Sequence, residues 1–129
     1  MTTSNATPDP RLLICQLSEL PDPGSRGFAL GSGDWPLRGF VVRKQGQVFA
    51  YLNRCPHAGH PLNWQPDRFL SADAALIQCS SHGARFEITT GACLGGPCGG
   101  SPLRSLPVQV QGDYVLLQED PDQLAAVIW

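Results

Sequence analysis

Two short segments of this 129-residue chain combine residue types that bind metals. Cys55-Pro56-His57 offers one thiolate and one imidazole, and Cys79-Ser80-Ser81-His82-Gly83 offers another such pair. Twenty-one residues, Ala58 to Gln78, separate them. Two loops of this kind, facing each other, can supply two sulfurs to one iron and two nitrogens to a second. A structural zinc ion is the competing reading of the same four side chains. Structural zinc sites prefer Cys-x₂₋₄-Cys and His-x₃₋₅-His pairs, so alternating Cys-x-His and Cys-x-x-His fits them poorly.

The order Cys-x-His followed by Cys-x-x-His resembles the pattern of Rieske proteins. The resemblance runs from about Gln47 to Leu117 and includes Asn53-Arg54, Gly83-Ala84-Arg85-Phe86, Gly91 and Gly96-Pro97. It implies that Cys55, His57, Cys79 and His82 bind one [2Fe–2S] cluster, and that a proline-containing loop covers it from a third side. The fold it implies is all-β: an antiparallel β-sandwich base from residues near 11–52 and 103–118. A cluster-binding subdomain, about 53–102, is inserted between them with its ligand loops at one end. The gap between the loops is a few residues longer than is usual in Rieske ferredoxins. The surplus falls in Trp64 to Ala74, where Pro66-Asp67-Arg68 and Ser71-Ala72-Asp73 read as surface loop. Loop-closure cost grows slowly with length, so an insert there leaves the cluster undisturbed and bears on partner docking.

Mixed ligation has an electrostatic consequence. Two ferric ions, two sulfides and two thiolates sum to zero formal charge, whereas four thiolates would leave a dianion. The less negative centre accepts an electron more readily, and Rieske potentials span about −150 to +300 mV. Hydrogen bonds to the sulfurs favour the reduced state and set the position in that range. High-potential members carry serine and tyrosine hydroxyls where this chain has Ala84 and Phe86. They also carry a loop-stapling cysteine pair, replaced here by His60 and Ser80. A low-potential, ferredoxin-like centre is the expectation.

The chain has three histidines, His57, His60 and His82. If the cluster takes two, the one left cannot build a two-histidine, one-carboxylate oxygenase iron site. No Gly-x-Gly-x-x-Gly follows a strand, so dinucleotide oxidation by that route is not expected. An electron-transfer protein rather than an enzyme is expected. The resemblance implies that it passes single electrons from a flavin-dependent reductase to a partner such as a Rieske oxygenase through transient complexes. A stably bound accessory subunit or an iron–sulfur sensor are the alternatives.

Strands must hold these loops in place. Arg11–Leu17 and Gly27–Leu30 read as short strands; Leu37–Arg43 and Gln47–Leu52 read as a hairpin about Lys44-Gln45-Gly46. Ala75–Gln78 and Ala84–Ile88 are the strand-like pieces of the insert. Ser105–Gln111 and Asp113–Gln118 form a second hairpin about Gly112. Residues 1–10 read as a disordered lead-in, and 119–129 as a tail with a helix start at Asp120-Pro121.

Composition agrees with one compact domain. Net charge is −2, from nine basic and eleven acidic residues without long runs, so no nucleic-acid surface is expected. Met1–Pro10 lacks a basic n-region and an apolar h-region, and no apolar run approaches a membrane span. A cytoplasmic protein without membrane contact is expected. In that setting Cys93 and Cys98, which flank Leu94-Gly95-Gly96-Pro97, are expected as thiols, with a local disulfide as the alternative. Cys15 reads as a buried small hydrophobe. His60 is expected at the loop surface, and Trp35, Trp64 and Trp129 in packing. Arg54 and Arg85, each beside a ligand loop, read as solvated or as steering groups for an acidic partner.

Overall fold

The computed structural model describes residues 8–32, 36–54, 61–63, 65, 67–80, 83–96 and 101–128. Trp35, Trp64, Trp129, Cys98, His60 and the first seven residues of the expected lead-in lie outside them. Among the described residues the strands are β1 (Leu13–Gln16), β2 (Gly24–Leu30), β3 (Leu37–Lys44), β4 (Gln47–Leu52), β5 (Ile77–Gln78), β6 (Arg85–Phe86), β7 (Cys93–Gly95), β8 (Val108–Gln111) and β9 (Tyr114–Leu117), followed by helix α1 (Pro121–Ile128). They form three antiparallel three-stranded sheets, ordered β1-β9-β8, β2-β3-β4 and β5-β6-β7. The expected all-β, antiparallel architecture is the one observed.

The β3–β4 hairpin turns at Gln45 (φ 52°) and Gly46 (φ 77°). Two successive positive-φ residues match the right-handed twist of the strands they join. Glycine tolerates this conformation, but glutamine does so at a cost. Asp22 offsets it: its carboxylate accepts the Gln45 and Gly46 amides at 2.8 Å each.

Strand β3 is apolar on both sides, and the period-2 alternation of side chains sends its residues into two different cores. Leu37 and Val41 join Ala50, Leu52, Leu106, Val115 and Leu117 in the core of the base. Phe40 and Val42 join Tyr51, Leu62, Phe69, Ile77, Phe86 and Ile88 in a second core beneath the insert. The β3–β4 hairpin is therefore a wall shared by both. Its β4 edge is closed by the returning chain, through Leu52 N–H to Arg104 O at 2.8 Å and Leu106 N–H to Ala50 O at 2.9 Å.

Several boundaries differ from expectation. Strand β8 starts at Val108 rather than Ser105 because Ser105 bridges Tyr51 and Leu106 bonds Ala50, so this stretch belongs to the β4 edge. Pro107 then has no amide to donate. Residues 8–10 are not a featureless lead-in: Leu12 N–H reaches Asp9 O at 3.0 Å, and Arg11 pairs with Asp9 at 3.0 Å. In the tail, Asp120 caps α1 by accepting the Asp122 amide at 2.8 Å, and Leu124 and Ala125 pack on the base core. Asp122 then accepts Ser32 N–H and Oγ–H at 2.8 and 2.9 Å. The Ser32 amide is the main reason its carboxyl is held below the ordinary value.

Cys15 is 5% exposed within the base core, and burial pushes its thiol up to about 11. Since the thiolate is the nucleophile, native protein at pH 8 is expected to leave Cys15 unalkylated by iodoacetamide. Peptide mapping after labelling checks this, with a denatured control reacting fully. The unfolded thiol ionises first, near its ordinary value of 9.0, so this contribution is complete below that pH and is lost as pH rises toward about 11.

Candidate metal centre

Of the four expected ligands, Cys79 is described; Cys55, His57 and His82 lie outside the described residues. Cys79 leaves the end of β5 and is fully buried. Register Ile77↔Phe86 and Gln78↔Arg85 makes β5 and β6 a hairpin. Cys79 N–H to Ala84 O at 2.8 Å and Gly83 N–H to Cys79 O at 3.0 Å close the loop at its base. The thiol sits among Ile77, Leu62, Ala84 and Phe86, all without exposed surface.

The shoulders of the first expected ligand loop are described on both sides, and one side chain joins them. Asn53 Oδ1 accepts the Leu62 amide at 2.8 Å, and its Nδ2 donates to Asn63 Oδ1 at 2.9 Å. Asn63 Nδ2 in turn donates to Gln65 O at 3.0 Å. Leu62 O accepts the amide of Ser80, the residue after Cys79, at 2.7 Å. Leu62 thus ties the two loops together while its side chain anchors in the core. Asparagine suits this place because its amide carries a donor and an acceptor.

The strand β7 and the turn after it approach from a third side. Gly96 has φ +82°, and a Cβ there would lie 2.8 Å from Ala84 Cα and 3.1 Å from Gly83 O. The backbone of this turn therefore rests directly on the second ligand loop, an approach only glycine permits. Leu94, 54% exposed, is turned outward beside it. Pro97 lies outside the described residues.

The segment read as surplus loop is partly something else. Asp67 and Arg68 are at the surface as expected, but Phe69 between them and Leu70 is fully buried. Its ring stacks on Phe40 with centroids 4.3 Å apart and planes 5° from parallel. Asp67 fastens the segment to β2 by accepting Gly27 N–H at 2.8 Å, while its carbonyl accepts Ser25 Oγ–H at 2.7 Å. Asp73 accepts from Ser71 Oγ at 2.7 Å and Ala75 N at 3.1 Å. Ser71, then Ala75 and the charge of Arg85, hold its carboxyl below the ordinary value. Tyr51 completes the seat, its hydroxyl donating to Ile88 O at 2.7 Å; burial pushes its ionisation up to about 12.

Cys93 is disulfide-bonded, with its partner outside the described residues, which corrects the expectation of a thiol there. The expectation came from compartment, which says nothing of which sulfurs the chain brings within reach. Cys15 is not part of a disulfide, as expected.

A thiolate-and-imidazole site needs a buried sulfur, two loops held in fixed relation, and backbone close enough to exclude water. Cys79, the Asn53–Leu62–Ser80 ties and the Gly96 contact meet these needs, so the residues present fit a mixed-ligand cluster. The surroundings add no hydroxyl at two places: Ala84 and Phe86 are buried hydrocarbon. Asn53 and Gly96 were legible only as context for the motif; their contacts depend on the folded chain.

The family profile of the Rieske [2Fe-2S] domain matches residues 11–125. The 3-phenylpropionate/cinnamic acid dioxygenase ferredoxin subunit of Photorhabdus laumondii is 29% identical over 113 residues, spanning 88% of this chain and 98% of that one. Among solved structures, the ferredoxin of carbazole 1,9a-dioxygenase from Nocardioides aromaticivorans IC177 superposes with TM-score 0.66 at 28% identity, covering 82% of this chain and 94% of that one. A complex of reduced oxygenase and oxidised ferredoxin in carbazole 1,9a-dioxygenase gives TM-score 0.66 at 25% identity, covering 84% and 94%.

Proposed function

The chain belongs to the Rieske [2Fe-2S] domain family, and from that premise we propose that it is the electron-transfer component of an oxygenase system. Cys55, His57, Cys79 and His82 are the cluster ligands in this reading. These side chains would hold the cluster, which when bound would supply one-electron chemistry. The observation that carries the reading is the tie at Leu62, which holds the Asn53 shoulder of one loop against Ser80 in the other. Likeness to ferredoxin components along nearly their whole length supports a carrier rather than an enzyme. A flavin-dependent reductase is the proposed donor and a Rieske oxygenase the acceptor, through transient contacts; a related ferredoxin in complex with its oxygenase supports the acceptor. Among the described residues no helix is long and apolar enough to cross a membrane.

EPR of the reduced protein tests the centre: mixed ligation is expected to give a lower average g value than all-cysteine ligation. A colourless protein containing zinc would refute it. Loss of oxygenase reduction when the protein is omitted from a reductase–oxygenase mixture tests the role, and gel filtration of the mixture tests transience.

The low potential is part of the proposal and rests on Ala84 and Phe86. Phe86→Tyr restores a hydroxyl beside the site. One hydrogen bond that strengthens on reduction by about 1.4 kcal/mol is expected to raise a one-electron midpoint by about 60 mV. An EPR-monitored titration reads this, and an unchanged or lower midpoint would remove the explanation.

A further inference from the structure

Charge is divided unevenly between the part that carries the site and the rest of the chain. Residues 53–104 together with Arg38 hold five arginines, Arg38, Arg54, Arg68, Arg85 and Arg104, against three carboxylates, Asp67, Asp73 and Glu87. All five arginines are exposed. Each of the three carboxylates is engaged locally: Asp67 with Gly27 N–H, Asp73 with Ser71 and Ala75, and Glu87 with the Thr89 and Thr90 hydroxyls. The remainder carries four cations against eight carboxylates. Arg11 pairs with Asp9 and Asp120, Arg26 with Glu19 and Arg43 with Asp22, and Lys44 donates to Ala74 O. Within a protein of net charge −2, the part that carries the expected site thus holds more cations than carboxylates.

Three of the five arginines are gathered where β4 hands over to the first ligand loop. Arg38 O accepts the Asn53 amide at 3.0 Å, Arg104 O accepts the Leu52 amide at 2.8 Å, and Arg54 follows Asn53. Alternation along β3 puts Arg38 on the Phe40 side of the sheet, while Arg104 shares parity with Leu106 on the base-core side. The two cations therefore bracket the strand end. Neither has an ion-pair partner among the described residues. Beside Arg38 opens a cleft of about 410 Å³ lined also by Phe28, Asn53, Asn63, Asp67 and Phe69. The Asp67 carboxylate in its wall bonds the Gly27 amide. Asp120, which caps α1, and Asp122, in its first turn, are held by Arg11 and Ser32.

We infer that this arginine-bracketed end is the docking surface, and that it takes an acidic patch on the redox partner. The inference rests on the carrier reading and supplies the partner's chemistry. Charges on the approaching end, rather than the net charge, orient the encounter and raise its rate. Acidic partner side chains meet Arg38 and Arg104, and the uneven charge turns this end toward them.

Inorganic anions test it on the holoprotein. In the first measurement, each reduced molecule gives one electron to one hexacyanoferrate(III), which becomes hexacyanoferrate(II). The stopped-flow rate is expected to fall about fivefold between about 20 mM and about 200 mM salt, because salt screens an attraction. Net charge alone predicts a rise, and a rise would overturn the inference. Arg38→Glu is expected to abolish most of the salt dependence. Arg26→Glu makes the same change in net charge at a residue paired with Glu19, and should leave the slope intact; equal effects would also overturn it. The second measurement is independent of electron transfer. Redox-inert hexacyanochromate(III) should broaden NMR signals of Phe28, Ala29 and Gly39 near Arg38, and broadening confined to Arg11, Arg26 or Lys44 would count against this surface. A missing Rieske EPR signal would bring down the carrier reading, while the hexacyanochromate map would still report on the surface.

Discussion

Cys79→Ser is expected to give a protein without colour, without the reduced-state EPR signal and with most of its iron lost. A serine hydroxyl does not ionise at neutral pH, so it replaces a thiolate ligand with a weakly binding neutral oxygen. The site offers no escape. Cys79 is fully buried, and hydrogen bonds to Ala84 O and from Gly83 N fix its backbone from both sides. A hydroxyl left there without metal costs about 1–3 kcal/mol, as any unpartnered buried polar group does. That penalty is small enough for the base to stay folded by circular dichroism, which separates loss of the centre from loss of the fold. Cys15→Ser is the control, since Cys15 lies in the other core and should retain full iron and spectrum. Iron assay and EPR on both variants decide the matter; a Cys79→Ser protein with an intact Rieske spectrum would exclude Cys79 as a ligand.

Phe69→Ala is expected to have the largest effect on stability, about 3–5 kcal/mol for a fully buried ring, out of a total of about 5–15 kcal/mol for a domain. The ring is the contact through which residues 67–70 grip the shared hairpin. Its stacking on Phe40 adds about 0.5–1.5 kcal/mol to simple burial. Removing it leaves Phe40 facing a cavity in the core that also holds Ile77, Phe86 and Cys79. Cluster retention should therefore fall along with stability. Urea unfolding followed by fluorescence measures the first, and the visible spectrum after gel filtration measures the second. Phe69→Leu keeps most of the volume and should cost far less. Equal midpoints for the alanine variant and the native protein would mean that the insert is not anchored through this ring.

These two residues mark the boundary of what could be read from the chain. The cysteine was legible because chemistry restricts spacing: a thiolate and an imidazole two or three positions apart are rarely coincidental. The β3–β4 and β8–β9 hairpins were legible because apolar alternation and turn glycines are local signals. Phe69 was not, since its neighbours are turn-forming and its burial comes from Phe40, 29 positions away in the chain. Strand β7 escaped for a similar reason: three residues ending in glycine carry no periodicity, and only pairing with β6 makes them a strand. Asn53 stood in the motif's surroundings, but its bonds to Leu62 and Asn63 require a loop that first leaves and then returns. Compartment reasoning failed at Cys93 because the formation of a disulfide depends on proximity.

The hydrogen bond between Leu52 and Arg104 has a consequence for how such a chain can be rearranged. It sets the two residues that flank the insert, Leu52 and Arg104, directly opposite each other, so the 51 residues between them leave the base and re-enter it through a single doorway. Topologically the chain between them is a cassette: its two ends are close enough to be joined by a tight turn, and the strands on either side need not move. Genetic exchange at this doorway could fit a different ligand-bearing unit onto the same base, or the same unit onto a larger one, without re-threading a strand. The limit on such exchange is the wall beneath it. Phe40, Val42 and Tyr51 would travel with the base, and any replacement cassette would have to bring its own counterpart to Phe69.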